Sequence, residues 1–192
     1  SHCRLLTLFT TWGVCSCMME RGHVLNGRDA LIGEIGHMQI ADCPEKLCGC
    51  GKRHCLESAV RLDHLHQLLM AEKASWLEQE PLTFQSLFTH SRQGDPAARK
   101  IVEYLARCYA SALHNLSLCY NQEAVVFQGD MAWADPYFDQ CLKRELDEFR
   151  YYPEGEWLTT RYDRRELSTL AARGDASLLR KKYFAAMSYE DD

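Results

Sequence analysis

The chain has 192 residues, with 22 Lys plus Arg against 27 Asp plus Glu and a formal net charge of −5 at pH 7. Hydrophobic residues make up 46% and charged residues 26%, the balance of one ordinary globular domain that folds without staples. That excludes disordered and collagen-like chains; the acidic surplus argues against a nucleic-acid reader, and no apolar run approaches the ~18 residues of a membrane span.

The first residue is Ser1 rather than Met, no signal peptide is visible, and strand-like sequence begins almost at once. A piece cut from a longer protein is therefore expected. Leu5 to Thr11 reads as a strand, rich in apolar and β-favouring residues. Val14 to Glu20 and His23 to Leu25 read as further short strands, punctuated by Gly13, Gly22 and Gly27. Loop sequence follows to about Cys55. From Glu57 the period changes to that of a helix, with Val60, Leu62, Leu65, Leu68, Leu69 and Met70 repeating at helical spacing.

Thr83 to Arg92 reads as a short helix. Gly94-Asp95-Pro96 opens a longer one, since Asp95 can cap and Pro96 suits the first turn. Its apolar face runs from Ile101 to Cys119, and Asn121 is the expected stop. Ala124 to Phe127 predicts a strand ending at Gln128-Gly129-Asp130, Tyr137 to Phe149 a helix, Trp157 to Tyr162 a strand and Ser177 to Met187 a closing helix. Strands first, then alternating helix and strand, predict an α/β or α+β domain.

Ten cysteines are many, and they are unevenly placed. Cys3, Cys15, Cys17, Cys108 and Cys119 lie in apolar sequence, where a free cysteine behaves as a small hydrophobe. Cys43, Cys48, Cys50 and Cys55 crowd one loop, with His37 just upstream. That distribution fits a reducing compartment and a metal site better than a disulfide framework. His37, Cys48, Cys50 and Cys55 would supply one imidazole and three thiolates, a soft tetrahedral set suited to structural Zn²⁺ with no open position. Cys43 and His54 compete as ligands, and the C-x-C step departs from the commoner C-x-x-C spacing.

Gly33-Glu34-Ile35-Gly36-His37, then Cys48-Gly49-Cys50-Gly51-Lys52-Arg53-His54-Cys55-Leu56-Glu57, resembles the signature of the ROK family (repressors, open reading frames and sugar kinases). That signature is G-E-x-G-H followed by C-x-C-G-x-x-G-C-L-E. His54 departs from it, standing where the family has glycine. Gly13 to Gly27 matches the spacing of the family's glycine hairpin without a gap, but Cys15 and Cys17 occupy its second and third glycine positions. The likeness spans most of the chain and corresponds to the family's C-terminal half.

The resemblance implies an α/β fold: the C-terminal lobe of an actin-like, ribonuclease H-like ATPase, with a mixed sheet, flanking helices and a zinc-pinned loop. Residues 1–192 would form a single lobe, with the zinc and sugar segment at 33–57. His37, Cys48, Cys50 and Cys55 would be the zinc ligands. Glu34, His37 and Glu57 would hydrogen-bond sugar hydroxyls, His37 serving both roles through its two ring nitrogens.

A kinase of this family needs an aspartate base and a first phosphate loop from the other half. Side chains at Cys15 and Cys17 would crowd a phosphate, and Gln128-Gly129-Asp130 replaces a Gly-Gly pair near the adenosine, adding a negative charge. The expectation is therefore no catalysis, but the effector-binding and dimerisation lobe of a cytoplasmic transcriptional regulator. It would sense a sugar or sugar phosphate, form a homodimer, touch DNA only through an absent N-terminal domain and have no membrane contact. The alternative is the C-terminal fragment of an ATP-dependent hexose kinase; a third reading is a dimerising module with a vestigial sugar site. Trp133, Tyr137, Tyr151 and Tyr152 are candidate interface aromatics. Arg161, Arg164, Arg165, Lys181 and Lys182 read as solvated faces.

Overall fold

Alternation along the first strand sets the sheet. In β1 (Arg4–Thr10) the side chains of Leu6, Leu8 and Thr10 are buried, and Leu5, Thr7 and Phe9 are only partly so. β2 (Val14–Glu20) returns antiparallel, and β3 (His23–Val24) extends it through the two-residue turn Arg21–Gly22. The computed structural model describes residues 4–29, 31–41, 46–149, 158–166 and 169.

β4 (Ala124–Gly129) and β5 (Thr159–Tyr162) add to the other edge of β1, both parallel, giving the order β3-β2-β1-β4-β5. The sheet is thus mixed, antiparallel on one side of β1 and parallel on the other. Register aligns Leu6 with Val125 and Leu8 with Phe127 on one face. Cys15, Phe9 and Gln128 line up across the opposite face.

Only the long helix opened by Asp95-Pro96 follows caps named from the sequence at both of its ends. α1 (Leu56–Val60) and α2 (Leu62–Ala71) divide what reads as one helical run, because Arg61 is extended at φ −65 and ψ 141. No Pro or Gly marks that break. α1 buries four of its five residues and α2 only one stripe, so a single straight helix cannot serve both environments. In α3 (Phe84–Gln93) Thr83 and Ser86 form a capping box and Gly94 closes the helix in the left-handed region.

α4 (Pro96–Tyr120) starts at Asp95, which accepts from the Ala98 N–H at 2.7 Å, and ends at left-handed Asn121. α5 (Pro136–Glu148) repeats the Asp-Pro start, with Asp135 accepting from the Phe138 N–H at 2.8 Å. That start lies one residue ahead of the predicted one.

The core lies between the sheet and α4 and α5. Tyr109, Phe127 and Phe138 meet edge to face with centroids 5.8–6.2 Å apart, and Tyr162 stacks on Phe127 at 5.3 Å. Such pairs add stability beyond their buried area. The Tyr109 hydroxyl reaches Thr10 Oγ1 at 2.9 Å and the Tyr162 hydroxyl donates to Asp139 Oδ1 at 2.9 Å, so both polar side-chain atoms of this cluster are partnered. Among the described residues no helix is long and apolar enough to cross a membrane. The closing helix expected over Ser177 to Met187, together with Cys3, Cys43, Tyr151, Tyr152, Lys181 and Lys182, lies outside the described residues.

Candidate metal and sugar site

Two glycines bring the 33–37 segment against β2. The carbonyl of Gly33 accepts the Ser16 N–H at 2.7 Å, capping the part of β2 that β3 does not reach. A β-carbon at Gly33, whose φ is +89, would lie 2.1 Å from the Ser16 carbonyl oxygen. A β-carbon at Gly36 would lie 2.5 Å from the Val14 oxygen and 3.2 Å from Glu57 Oε2. Only glycine permits both approaches. They hold Glu34 and the short 3-10 turn Ile35–His37 at the sheet edge.

The second half of the site comes from a small bridged loop. Gln39 pairs with Cys55 and Leu47 with Arg53, so Cys48 to Lys52 form its tip. The Gly51 N–H donates to the Cys48 carbonyl at 2.9 Å and the Cys48 N–H to the Lys52 carbonyl at 2.8 Å. Cys55 then caps α1, and Glu57 sits in that helix's first turn. His54 adopts φ +66, the left-handed conformation for which the family uses glycine.

Among the described residues, one group of four brings its donor atoms together: His37, Cys48, Cys50 and Cys55, all within 4.8 Å of one another. Cys48 Sγ is 3.6 Å from His37 Nδ1, and Cys50 Sγ is 3.7 Å from Cys55 Sγ. A tetrahedral zinc with Zn–S bonds of about 2.3 Å separates two sulfurs by about 3.8 Å. The donor set and its spacing therefore fit zinc. His54 is not in the group.

Without a cation, three thiols this close cannot all ionise. Burial, with hydrogen bonds that the Cys55 thiol donates to the Cys50 and Cys48 sulfurs, pushes the Cys55 thiol up to about 12, while the Lys52 backbone amide lowers that of Cys50. A bound zinc would supply the positive charge that lets all three exist as thiolates.

His37 turns Nδ1 toward the thiols, which leaves Nε2 for another partner. Cys48 Sγ also lies 3.9 Å from Glu57 Oε1, so His37 and Glu57 flank the same sulfur. Glu57 Oε2 accepts the Val14 N–H at 3.4 Å. Glu34 and His37 line an open groove of about 720 Å³ with Cys50, Asn115 and Tyr120. Glu57 instead lines a smaller pocket of about 270 Å³ with Thr10, Thr11, Trp12, Arg61 and Asp63. The three sugar-site candidates thus line two different hollows, Glu34 and His37 one and Glu57 the other. Sequence reasoning missed Trp12, Arg61 and Asp63. A tryptophan between two β-strands, in a turn, was the available signal for the first.

The profile of the ROK family matches residues 4–182. The chain belongs to the ROK family. N-acetylmannosamine kinases of Yersinia pestis (strain Pestoides F) and Yersinia pseudotuberculosis (serotype O:1b, strain IP 31758) are each 30% identical over 130 residues, covering 68% of this chain and 42% of the relative. The chain therefore spans about two-fifths of the length of the curated relatives it matches.

Among solved structures, the ROK hexokinase from Thermus thermophilus superposes with a TM-score of 0.65 at 25% identity, covering 83% of this chain and 52% of that one. A ROK transcriptional regulator, a homologue of the E. coli MLC protein, gives 0.68 at 22% identity over 85% of this chain and 42% of that one. A ROK glucokinase from Streptomyces griseus in complex with glucose and AMPPNP gives 0.66 at 18% identity over 84% and 56%. The last two speak for the fold alone. The mixed sheet with flanking helices is the fold of the ROK sugar kinases and their relatives, as the resemblance implied.

Proposed function

We propose that this chain is the C-terminal, zinc-pinned, sugar-sensing and dimerising lobe of a ROK transcriptional regulator, and not a catalyst. The observation that carries the proposal is a complete Glu34, His37 and Glu57 set beside a hairpin ill suited to phosphate. Cys15 is exposed and Cys17 half-buried on the strand where the family's phosphate hairpin has glycines. Gln128 shares that sheet face through Phe9. The Val14 amide, one of the hairpin's own donors, is already engaged by Glu57. Burial raises the Cys15 thiol, and the nearby Glu34 carboxylate raises it further, so Cys15 stays neutral and adds no charge there.

In this reading Glu34 and Glu57 accept hydrogen bonds from sugar hydroxyls and His37 presents Nε2. The metal holds the imidazole in place through Nδ1. Residues from the rest of the protein complete the site, and their approach couples sugar binding to an attached DNA-binding domain. The full-length protein's affinity for its own operator, measured with and without D-glucose, N-acetyl-D-glucosamine, xylose and N-acetyl-D-mannosamine, tests it. A change of fivefold or more with one sugar is expected. Affinity indifferent to all of them would sink the proposal.

A second reading has its own support. The 30% identity to N-acetylmannosamine kinases favours a fragment of an ATP-dependent kinase for a hexose or N-acetylhexosamine. An aspartate outside this chain would then act as general base, and Cys15 and Cys17 would be tolerated in the hairpin. ATP-dependent phosphorylation of one of the same sugars by the full-length protein would establish it.

A further inference from the structure

Three soft sulfur donors stand in a row on β2. Alternation puts Cys15, Cys17 and Met19 on the sheet face opposite the core, with Phe9, Thr7 and Leu5 of β1 as their cross-strand partners. Cys15 is exposed, and Cys17 and Met19 are half-buried. Cysteine and methionine are ordinarily among the most buried residue types, so a partly open row of them calls for a reason. The Cys17 thiol is engaged weakly, 4.0 Å from the Met18 carbonyl. None of the three belongs to the cluster of His37, Cys48, Cys50 and Cys55.

The strand decides what two such thiols can do. Residues two apart on a strand are separated by roughly 6.7 Å along the chain, whereas a disulfide brings its two β-carbons to about 3.8 Å. Cys15 and Cys17 cannot close a disulfide without bending β2, and both positions are held in register against β1. An ion between the sulfurs asks for a sulfur-to-sulfur span about twice the ~2.05 Å of an S–S bond, which two side chains leaning toward one another reach. Thiols flanked by a thioether select a soft ion such as Cu(I) over harder cations. Zn²⁺ prefers four protein ligands, and among the described residues no group of three or more metal-ligating residues includes Cys15 or Cys17. Charge favours a cation too. The Gly33 carbonyl accepts the Ser16 N–H at 2.7 Å, which sets Glu34 beside this stretch. Burial, and then the Glu34 carboxylate, raise the Cys15 thiol, and the negative charge that disfavours a bare thiolate attracts a positive ion.

We propose that Cys15 and Cys17 form a two-thiolate site for Cu(I), separate from the zinc cluster. On binding, each sulfur bonds to the ion and each thiol gives its proton to water. One Cu⁺ and two thiols thus yield a bis-thiolate complex of charge −1 and two protons, with no change of oxidation state. Met19 follows in the row and offers its thioether on the far side of Cys17. The site is independent of the sugar reading, and it gives a chemical role to the two cysteines that stand at the hairpin's glycine positions.

Competition for Cu(I) between the full-length, zinc-loaded protein and the chelator bathocuproine disulfonate, without oxygen, tests the proposal. The proteins compared are wild type, Cys15→Ser, Cys17→Ser, the two serine changes together, and Met19→Leu, with zinc content followed in the same samples. Wild type should hold one Cu(I) more than the double variant and keep its zinc. Each single serine variant should lose about tenfold or more in Cu(I) affinity, and Met19→Leu less than about tenfold. X-ray absorption at the copper edge should report two sulfur neighbours. Cys15 is exposed, so Cys15→Ser reads the site without disturbing the core. Equal copper in wild type and the double variant overturns the proposal. Copper that enters only as zinc leaves, or that has three or four sulfur neighbours, overturns it as well, because it then sits in the His37 cluster. A loss in Met19→Leu as large as in the serine variants would move the ion to Cys17 and Met19 and refute the two-thiolate site.

Discussion

Gly36 shows how narrowly single residues control this site. Its missing side chain admits the Val14 carbonyl and the Glu57 carboxylate to one spot. In Gly36→Ala, the added β-carbon must push β2, the 3-10 turn or Glu57 aside, and overpacking of this kind costs ~1–3 kcal/mol. Urea denaturation should show that loss, and the same variant should weaken metal binding because His37 follows directly. His54 illustrates the opposite case, a bulky residue held at φ +66 by its neighbours at a cost of about 1–2 kcal/mol. The bridged loop that ends in Cys55 imposes that conformation. Arg164 is exposed, as read from sequence, and is also engaged: its guanidinium lies over the Trp133 ring at 5.1 Å and Nε donates to the Ala132 carbonyl at 3.1 Å.

At the scale of elements, α5 is tied to β5 by one carboxylate. Asp139 accepts from Thr160 Oγ1 at 2.5 Å and from the Tyr162 hydroxyl at 2.9 Å, and Lys143 pairs with it at 2.7 Å. Burial alone would raise the Asp139 carboxyl, but Lys143, Thr160 and Tyr162 outweigh it and hold it below its ordinary value. A depressed carboxylate contributes stability that is present above its unfolded pKa and lost as pH falls through the folded one. Asp139→Asn should therefore cost about 2 kcal/mol at pH 7. The gap from wild type should shrink below roughly pH 4. Chemical denaturation at pH 7 and pH 3 checks both; an equal gap at the two pH values would contradict the assignment. The shared Asp-Pro starts of α4 and α5 make a second element-scale point, since each aspartate satisfies an amide that the helix leaves unpaired. Asp95→Ala should destabilise by ~1 kcal/mol in the same assay.

For the molecule as a whole, the metal loop is the segment with the least apolar anchoring near the site. Leu47 is 60% exposed, and Cys48 and Ile40 are among its few buried apolar side chains. Zinc held at a thousand times its dissociation constant would add about 4 kcal/mol. Chelation should then lower the melting temperature by roughly 8–16 °C for a domain of this size. Zinc uptake should release protons and weaken as pH falls, because the ligands must lose theirs. Scanning calorimetry with and without a chelator, and zinc titration in a weakly buffered solution, read these effects. Dimerisation is a separate expectation; Trp133, at 39% exposure, remains available to an interface. Light scattering at two concentrations reports it.

Much of this could be read along the chain. β-favouring composition and flanking glycines marked β1 and β2 to within a residue, and Thr83, Asp95 and Asn121 marked helix ends through local hydrogen bonds that need no distant partner. The candidate metal set was legible because three thiols and one imidazole fall within a short span that resembles the family signature; spacing alone left Cys43 and His54 as competitors. The division at Arg61 was not legible, since it answers to burial on two sides and not to any local breaker. Nor was the one-residue shift in α5 seen in advance, although Asp135-Pro136 carried the same signal as Asp95-Pro96. Only the tertiary structure decided that β1 sits at the centre of a mixed sheet, that Nδ1 of His37 faces the thiols, and that Trp12 and Glu57 line one pocket. Each of these depends on which segments far apart in sequence come within a few ångströms. Local propensity carries no information about such distances, whereas spacing and capping chemistry are complete within a few residues.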